Sequence, residues 1–290
     1  MTATCVLDAK ATLAEGPLWD SRHDHLWWVD IPAGELHAYD PAREEDAVIE
    51  VGEMVGAVGL RRRGGLVAAL EHGFATIDLP SGRVERLQDP EPDRPGNRFN
   101  DGKCGPDGHF WAGTMARDQT PEQGSLYCLE PDGSVQRKVS NVTVSNGLAW
   151  DESAGCMYYV DSPTQCVYAF DYEAATGTLS NRRVAVQIPE EQGTPDGLAL
   201  DERGMLWVAQ WGGARVGRWN PRSGEQLMAV DVPATQVSSC AFGGQQGTQL
   251  FITTAREGLS PDALAGQPQA GGLFVVEGDV RGGPSYLYDG

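Results

Sequence analysis

Four short stretches of this chain place an oxygen-bearing side chain just ahead of a glycine and a run of apolar or small residues. They are Glu15 before GPLW, Asn146 before GLAW, Asp196 before GLAL, and the pair Asn100–Asp101 before GKC. Carboxylates brought together in a narrow space repel, so one of them must take a proton or a cation must lie between them. The donors are all oxygens, with no Cys or His, which suits a hard divalent cation such as Ca²⁺, Mg²⁺ or Mn²⁺ with water completing its shell. Zn²⁺ or Fe(II) is tolerated where one position stays open. Arg98 lies two residues before Asn100, the spacing that puts two strand side chains on one side. A guanidinium with five donors beside a cation suits an oxygen-rich, neutral or anionic small molecule. Each of these features has a plainer reading. A single Asn/Asp-Gly pair is an Asx-turn capping a strand, and Arg98 alone is an ion pair with one of many carboxylates.

What favours the chemical reading is that the stretches recur at one position of a repeat. Units start at 15, 55, 100, 146, 196 and 239, a period of about 45 residues. Each has a strand of small residues, a polar turn and a bulkier strand, as in NGLAWDESAGCMYYVD. Most continue into a third strand, as in GELHAYDP, GSLYCLEP and GLFVVEGD. No long stretch has helical periodicity. Six such units predict an all-β protein, a six-bladed β-propeller with four-stranded antiparallel blades, the whole of 1–290 forming a single domain. Ring closure predicts N- and C-terminal strands sharing the closing blade, with VLDAKATL near the start pairing with PSYLYDG near the end. Trp27, Trp28, Trp111, Tyr158, Tyr159, Trp207 and Phe251 are expected to pack between blades. Small residues at the start of each unit, such as Gly16, Gly56 and Gly147, suit the crowded innermost strand.

In a propeller every innermost strand begins on the same face, beside the axis. Glu15, Asn100, Asp101, Asn146 and Asp196 are therefore expected to converge there, while blades two and six offer only Gly56 and Ser238 or Ser239. Loops joining second and third strands open on that face and should wall the mouth. The 255–270 insertion is one of them, and its SPDALAG stretch is expected to form a short helix or a lid.

Composition narrows the partners. Lys+Arg 22 against Asp+Glu 41 gives a net charge of -19, which repels phosphate backbones and anionic lipid, so neither nucleic acid nor membrane is expected. The first residues carry no basic-then-apolar leader, and no apolar run is long enough to span a bilayer. The six cysteines show no C-x-x-C spacing and read as reduced thiols, consistent with a cytoplasmic protein. Facing strands across a turn near Pro163 would set Cys156 opposite Phe170 rather than Cys166. No nucleophile elbow, phosphate loop or dinucleotide fingerprint is present. His23 and His25 lie in a polar turn; His37 and His109 read as ordinary strand or turn residues.

Taken together, EGPLW at 15–19, RFNDGK at 98–103, WAGTM at 111–115, SNGLAWD at 145–151 and PDGLALD at 195–201 resemble the SMP-30/gluconolactonase family, also called the regucalcin or sugar-lactonase family. FITTAR at 251–256 with its following insertion is similar to bacterial aldonolactonases such as xylono- or arabinolactonase. The resemblance implies that Glu15, Asn146 and Asp196 hold one divalent cation and that Arg98 and Asn100 contact a sugar lactone. It implies that Asp101 is an acidic group set beside them. A substrate-touching loop glutamate of some members has Glu122, within ARDQTPEQG, as its candidate here. The implied function is metal-dependent hydrolysis of xylono-, arabinono- or gluconolactone to the aldonic acid. Asp196 acts as general base in that reading, and the protein is a monomer or weak homodimer. Two alternatives stand beside it: a paraoxonase- or phosphotriesterase-like esterase propeller, and a non-catalytic cation-binding propeller.

Overall fold

The computed structural model describes residues 1–290. Twenty-four strands form six four-stranded antiparallel sheets, and in the first five the strands follow chain order from the axis outward. The innermost strands are Ala14–Asp20, Val55–Leu60, Asn97–Cys104, Ser145–Asp151, Thr194–Leu200 and Val237–Gly243. Each packs against the innermost strands of the blades beside it, which closes the ring. The period read from the sequence is therefore the blade, and the protein is a six-bladed β-propeller.

The closing blade takes Val237–Gly243, Gln249–Thr254 and Leu273–Glu277 from the end of the chain and Thr4–Leu7 from its start. Thr4 faces Val275 and Cys5 faces Phe274. N- and C-terminal strands share this blade as expected, but the partner of the first strand is Leu273–Glu277 and not PSYLYDG. Residues 282–290 instead cross the lower face of the disc. They bridge Asp201 through Gly282 and Arg61 through Tyr288, and Asp289 N donates to Gly108 O at 2.9 Å. The tyrosines that made PSYLYDG look like a strand are spent on capping. Tyr288 is buried and its hydroxyl donates to Glu130 O at 2.8 Å, while the Tyr286 hydroxyl donates to Glu152 at 2.8 Å.

All seven aromatics expected between blades are buried. Trp111 and Trp150 pack edge to face at 5.9 Å and join blades three and four. Large rings fill the space that widens away from the axis, where small side chains would leave voids. Close to the axis the constraint reverses. A Cβ on Gly56 would sit 2.7 Å from Phe99 O of the next blade, and one on Gly147 would sit 2.7 Å from Asp196 O. Only glycine lets neighbouring backbones come that close. All six cysteines are free. Cys156 faces Asp171, with Met157 opposite Phe170, one residue from the expected register. SPDALAG does form a short helix, Pro261–Gly266, with the Ser260 hydroxyl capping Ala263 N. No helix is long and apolar enough to cross a membrane.

Candidate active site

Every innermost strand carries a register shift at the same place: Glu15/Leu18, Val55/Ala57, Phe99/Gly102, Asn146/Leu148, Pro195/Leu198 and Val237/Ser239. A bulge breaks the strict up-and-down alternation and re-aims a side chain. In this protein each bulge falls at or directly beside the residue that begins the unit. The segments leading into two of them are held by the aspartate that ends the second strand of the same blade. Asp30 accepts from Thr12 N at 2.8 Å and Leu13 N at 3.1 Å, just ahead of Glu15. Asp161 accepts from Val144 N at 3.0 Å, just ahead of Asn146.

The result is an axial cavity of about 340 Å³ lined by Glu15, Arg98, Asn100, Asn146 and Asp196, among others. That lies in the range of small-molecule pockets, roughly 300–1,000 Å³. A chain of hydrogen bonds sets the amides. Arg98 Nη1 donates to Asn100 Oδ1 at 2.7 Å. Asn100 Nδ2 donates to Ser145 O at 2.8 Å and to Asn146 Oδ1 at 3.1 Å. Asn146 Nδ2 donates to Ser162 Oγ at 2.8 Å. With its nitrogen committed to Ser162, Asn146 can offer only its oxygen to the centre. Glu15 accepts from Gly16 N at 2.9 Å. Asp196 Oδ1, by contrast, is buried and receives no hydrogen bond from any N–H or hydroxyl group; its neighbour is the Glu15 carboxyl.

Electrostatics agree with that vacant acceptor. Burial, then the neighbouring charge of Asp101, pushes Glu15 up to about 8. Burial, then Glu15 and Asp101, raises Asp196 well above the ordinary carboxylate range. Burial also raises Asp101, which Lys103 partly opposes. The axis thus holds three carboxylates against two cations, Arg98 and Lys103. Both cations are themselves lowered by burial. Two adjacent buried carboxylates, an amide oxygen fixed toward them and an oxygen lacking any donor form an oxygen-only set that suits a hard divalent cation.

The structure brings five of the seven sequence-predicted residues together and sets two apart. Asp101 is the second of the two residues in blade three's bulge, the place that Gly197 takes in blade five. It turns away from the upper cavity toward Lys103, lining a smaller cavity of about 90 Å³ at the lower end of the axis. Glu122 is exposed in its loop with a left-handed backbone, and only its backbone N, donating to Thr143 Oγ1 at 3.2 Å, is tied down. It does not line the axial cavity; Gln119 of the same loop does. Glu257 was not singled out beforehand. It comes from the 255–270 insertion, lines the mouth, and is the foremost carboxylate acting on the Arg98 charge. Blade six does not reach the upper cavity: the Ser238 hydroxyl is engaged by Ala14 O and Thr253, and Ser239 lines the lower cavity instead.

Residues 13–256 match the family described as SMP-30/Gluconolactonase/LRE-like region. Among curated relatives, regucalcin of Oryctolagus cuniculus is 39% identical over 292 residues, covering 99% of this chain and 98% of that protein. A putative sugar lactone lactonase, YvrE, of Bacillus subtilis (strain 168) is 38% identical, covering 97% of each. Among solved structures, a calcium-binding protein, regucalcin, from Agrobacterium tumefaciens superposes with a TM-score of 0.94 at 28% identity. It covers 99% of this chain and 97% of its own.

Proposed function

The chain belongs to the SMP-30/gluconolactonase/LRE-like family, and from that premise and the axial cavity we propose that it hydrolyses a sugar aldonolactone to the aldonic acid. The observation that carries this reading is Asp196 Oδ1, a buried carboxylate oxygen with no donor, beside Glu15, Asn146 and Arg98. Glu15, Asn146 and Asp196 would hold one divalent cation. When bound, that ion supplies Lewis-acid polarisation of the lactone carbonyl, offsets the charge on the tetrahedral oxyanion, and keeps the carboxylates ionised.

The remaining steps belong to the chain's own groups. Arg98 donates to the ring hydroxyls, and Asn100, whose two amide protons are committed to Ser145 O and Asn146 Oδ1, accepts from a hydroxyl through its Oδ1. Together they hold the carbonyl at attack distance, converting an encounter with water into a positioned reaction. Asp196 accepts a proton as water adds to the carbonyl carbon. The bond from that carbon to the ring oxygen then breaks, and the proton on Asp196 passes to the leaving oxygen. Asp196 is regenerated, and the new carboxylic acid ionises in solvent. Gln119 and Glu257 at the mouth are placed to discriminate among sugars, because pentonolactones and hexonolactones differ at the end of the ring that faces outward in such a pose.

The test is proton release from D-xylono-, L-arabinono- and D-gluconolactones by EDTA-treated protein, alone and with Ca²⁺, Mn²⁺, Mg²⁺, Zn²⁺ or Fe(II) restored. Metal-dependent acceleration above the spontaneous rate supports the reading; a flat response from folded, metal-loaded protein overturns it. A second reading is cation binding without turnover, favoured by the description of the Agrobacterium relative as a calcium-binding protein. It requires saturable Ca²⁺ uptake with no hydrolysis of any lactone.

A further inference from the structure

A second group of metal-ligating side chains lies away from the axial cavity, where blade three turns from its first to its second strand. Asp107 and His109 belong to that turn, between Asn97–Cys104 and Phe110–Ala116, and Cys128 comes from the third strand, Gly124–Leu129. His109 Nδ1 lies 2.8 Å from Asp107 Oδ2 and 3.5 Å from Cys128 Sγ. The three donor atoms all lie within 4.8 Å of one another. The Asp107 side chain is only 2% exposed; the His109 nitrogen and the Tyr172 hydroxyl both stand beside its carboxylate, but neither is aligned on Oδ2 as a well-directed hydrogen bond. Cys128 is fully buried. The turn is held from below, because Asp289 N donates to Gly108 O at 2.9 Å. Lys138 is a nearby cation. It stands over the Trp111 ring at 5.6 Å and donates to Gln136 Oε1 at 3.0 Å, so its charge is already engaged.

We propose that Asp107, His109 and Cys128 form a second metal site, for a borderline-soft divalent transition ion of the Zn²⁺ type, separate from the axial oxygen set. One nitrogen, one sulfur and one oxygen donor leave a fourth position of a tetrahedron for water. A thiolate and an imidazole select against Ca²⁺ and Mg²⁺, the ions that the axial set suits. The two sites therefore sort metals by donor chemistry within one chain. His109 is 18% exposed at its side chain, which gives an ion a route in from solvent.

The test uses the full chain carrying Glu15→Gln and Asp196→Asn, so that the axial set cannot answer for the second site. Co²⁺ is added to the metal-free protein and the near-ultraviolet thiolate-to-cobalt absorption is followed. The expected result is one equivalent bound with that absorption, its loss on adding Cys128→Ser, and at least tenfold weaker binding on adding His109→Gln. Zn²⁺ should displace the Co²⁺ and raise the unfolding temperature of the same protein. Cys128 is buried, so its variant is checked by circular dichroism, and His109→Gln alone decides if Cys128→Ser does not fold. Absence of the absorption from folded protein, or its survival in both variants, overturns the proposal. Cobalt uptake without thiolate absorption overturns it equally.

Discussion

Lys103→Met probes the charge balance of the axis. Lys103 Nζ donates to Leu198 O at 2.8 Å, tying blade three to the innermost strand of blade five two residues beyond Asp196. Its charge also faces Asp101 and Glu15. Methionine keeps most of the volume and removes both interactions. Removing one partner of a buried charge pair costs about 3–5 kcal/mol. Lys103 also meets the lower cavity, which places the expected loss near the bottom of that range, about 3 kcal/mol. For a 290-residue chain, with an unfolding entropy of about 2.1 cal/mol/K per residue, that is a fall of roughly 5 °C in unfolding temperature. The assay is urea unfolding in EDTA for wild type, Lys103→Met, Asp101→Asn and the double variant. Most of the loss should be recovered in the double variant, with a coupling of about 1.5 kcal/mol or more. A Lys103→Met protein within about 0.5 kcal/mol of wild type, a difference typical of ordinary surface positions, would refute the claim that this cation balances the axial carboxylates.

Other variants test separate parts of the argument. Asp196→Asn should lower lactone turnover by at least about 100-fold, the scale of a lost general base, while circular dichroism stays native; unchanged turnover would remove Asp196 from the mechanism. Gly147→Ala should destabilise by about 1–3 kcal/mol, because its Cβ would sit 2.7 Å from both Asp196 O and Leu198 Cγ. It should also impair turnover by displacing Asp196, so wild-type stability and rate together would count against the close approach. Burial works to raise Asp20, but Arg22 and His23 outweigh it and hold its carboxyl below the usual range. A depressed folded pKa means stability that is present above the unfolded value, about 3.9, and lost as pH falls through the lower folded value. Asp20→Asn should therefore destabilise at pH 7 and cease to matter near pH 2 in acid unfolding; an equal effect at both pH values would contradict the assignment.

The ring and the axial convergence were legible because both depend on recurrence. A small-residue strand opened by Glu, Asn or Asp and a glycine repeats with the blade, and its repeated position maps onto one place in space. Departures come where recurrence stops. Asp101 precedes a glycine as Asp196 does, but in the matching bulges of blades three and five the first place belongs to Asn100 and Asp196, so Asn100 faces the upper cavity and Asp101, in the second place, faces Lys103. Gln119, Glu257 and Glu122 sit on loops of unequal length, whose reach over the mouth no period encodes. PSYLYDG carries the aromatic residues that strands favour, and that composition alone cannot tell a blade edge from a cap. His109 looked ordinary because its neighbour Cys128 is brought to it by strand pairing rather than by spacing along the chain.

The crossing segment 282–290 bears on how the molecule comes apart. A propeller whose blades touch only their neighbours resembles a repeat array, in which stability adds unit by unit and the weakest repeat opens first. In this protein one strap contacts Arg61, Gly108, Glu130, Glu152 and Leu200, which belong to four different blades. Losing any one of those blades strains the strap's hold on the other three. Unfolding should accordingly be shared around the ring, and amide exchange in the innermost strands should report a single global opening rather than a graded series of local ones.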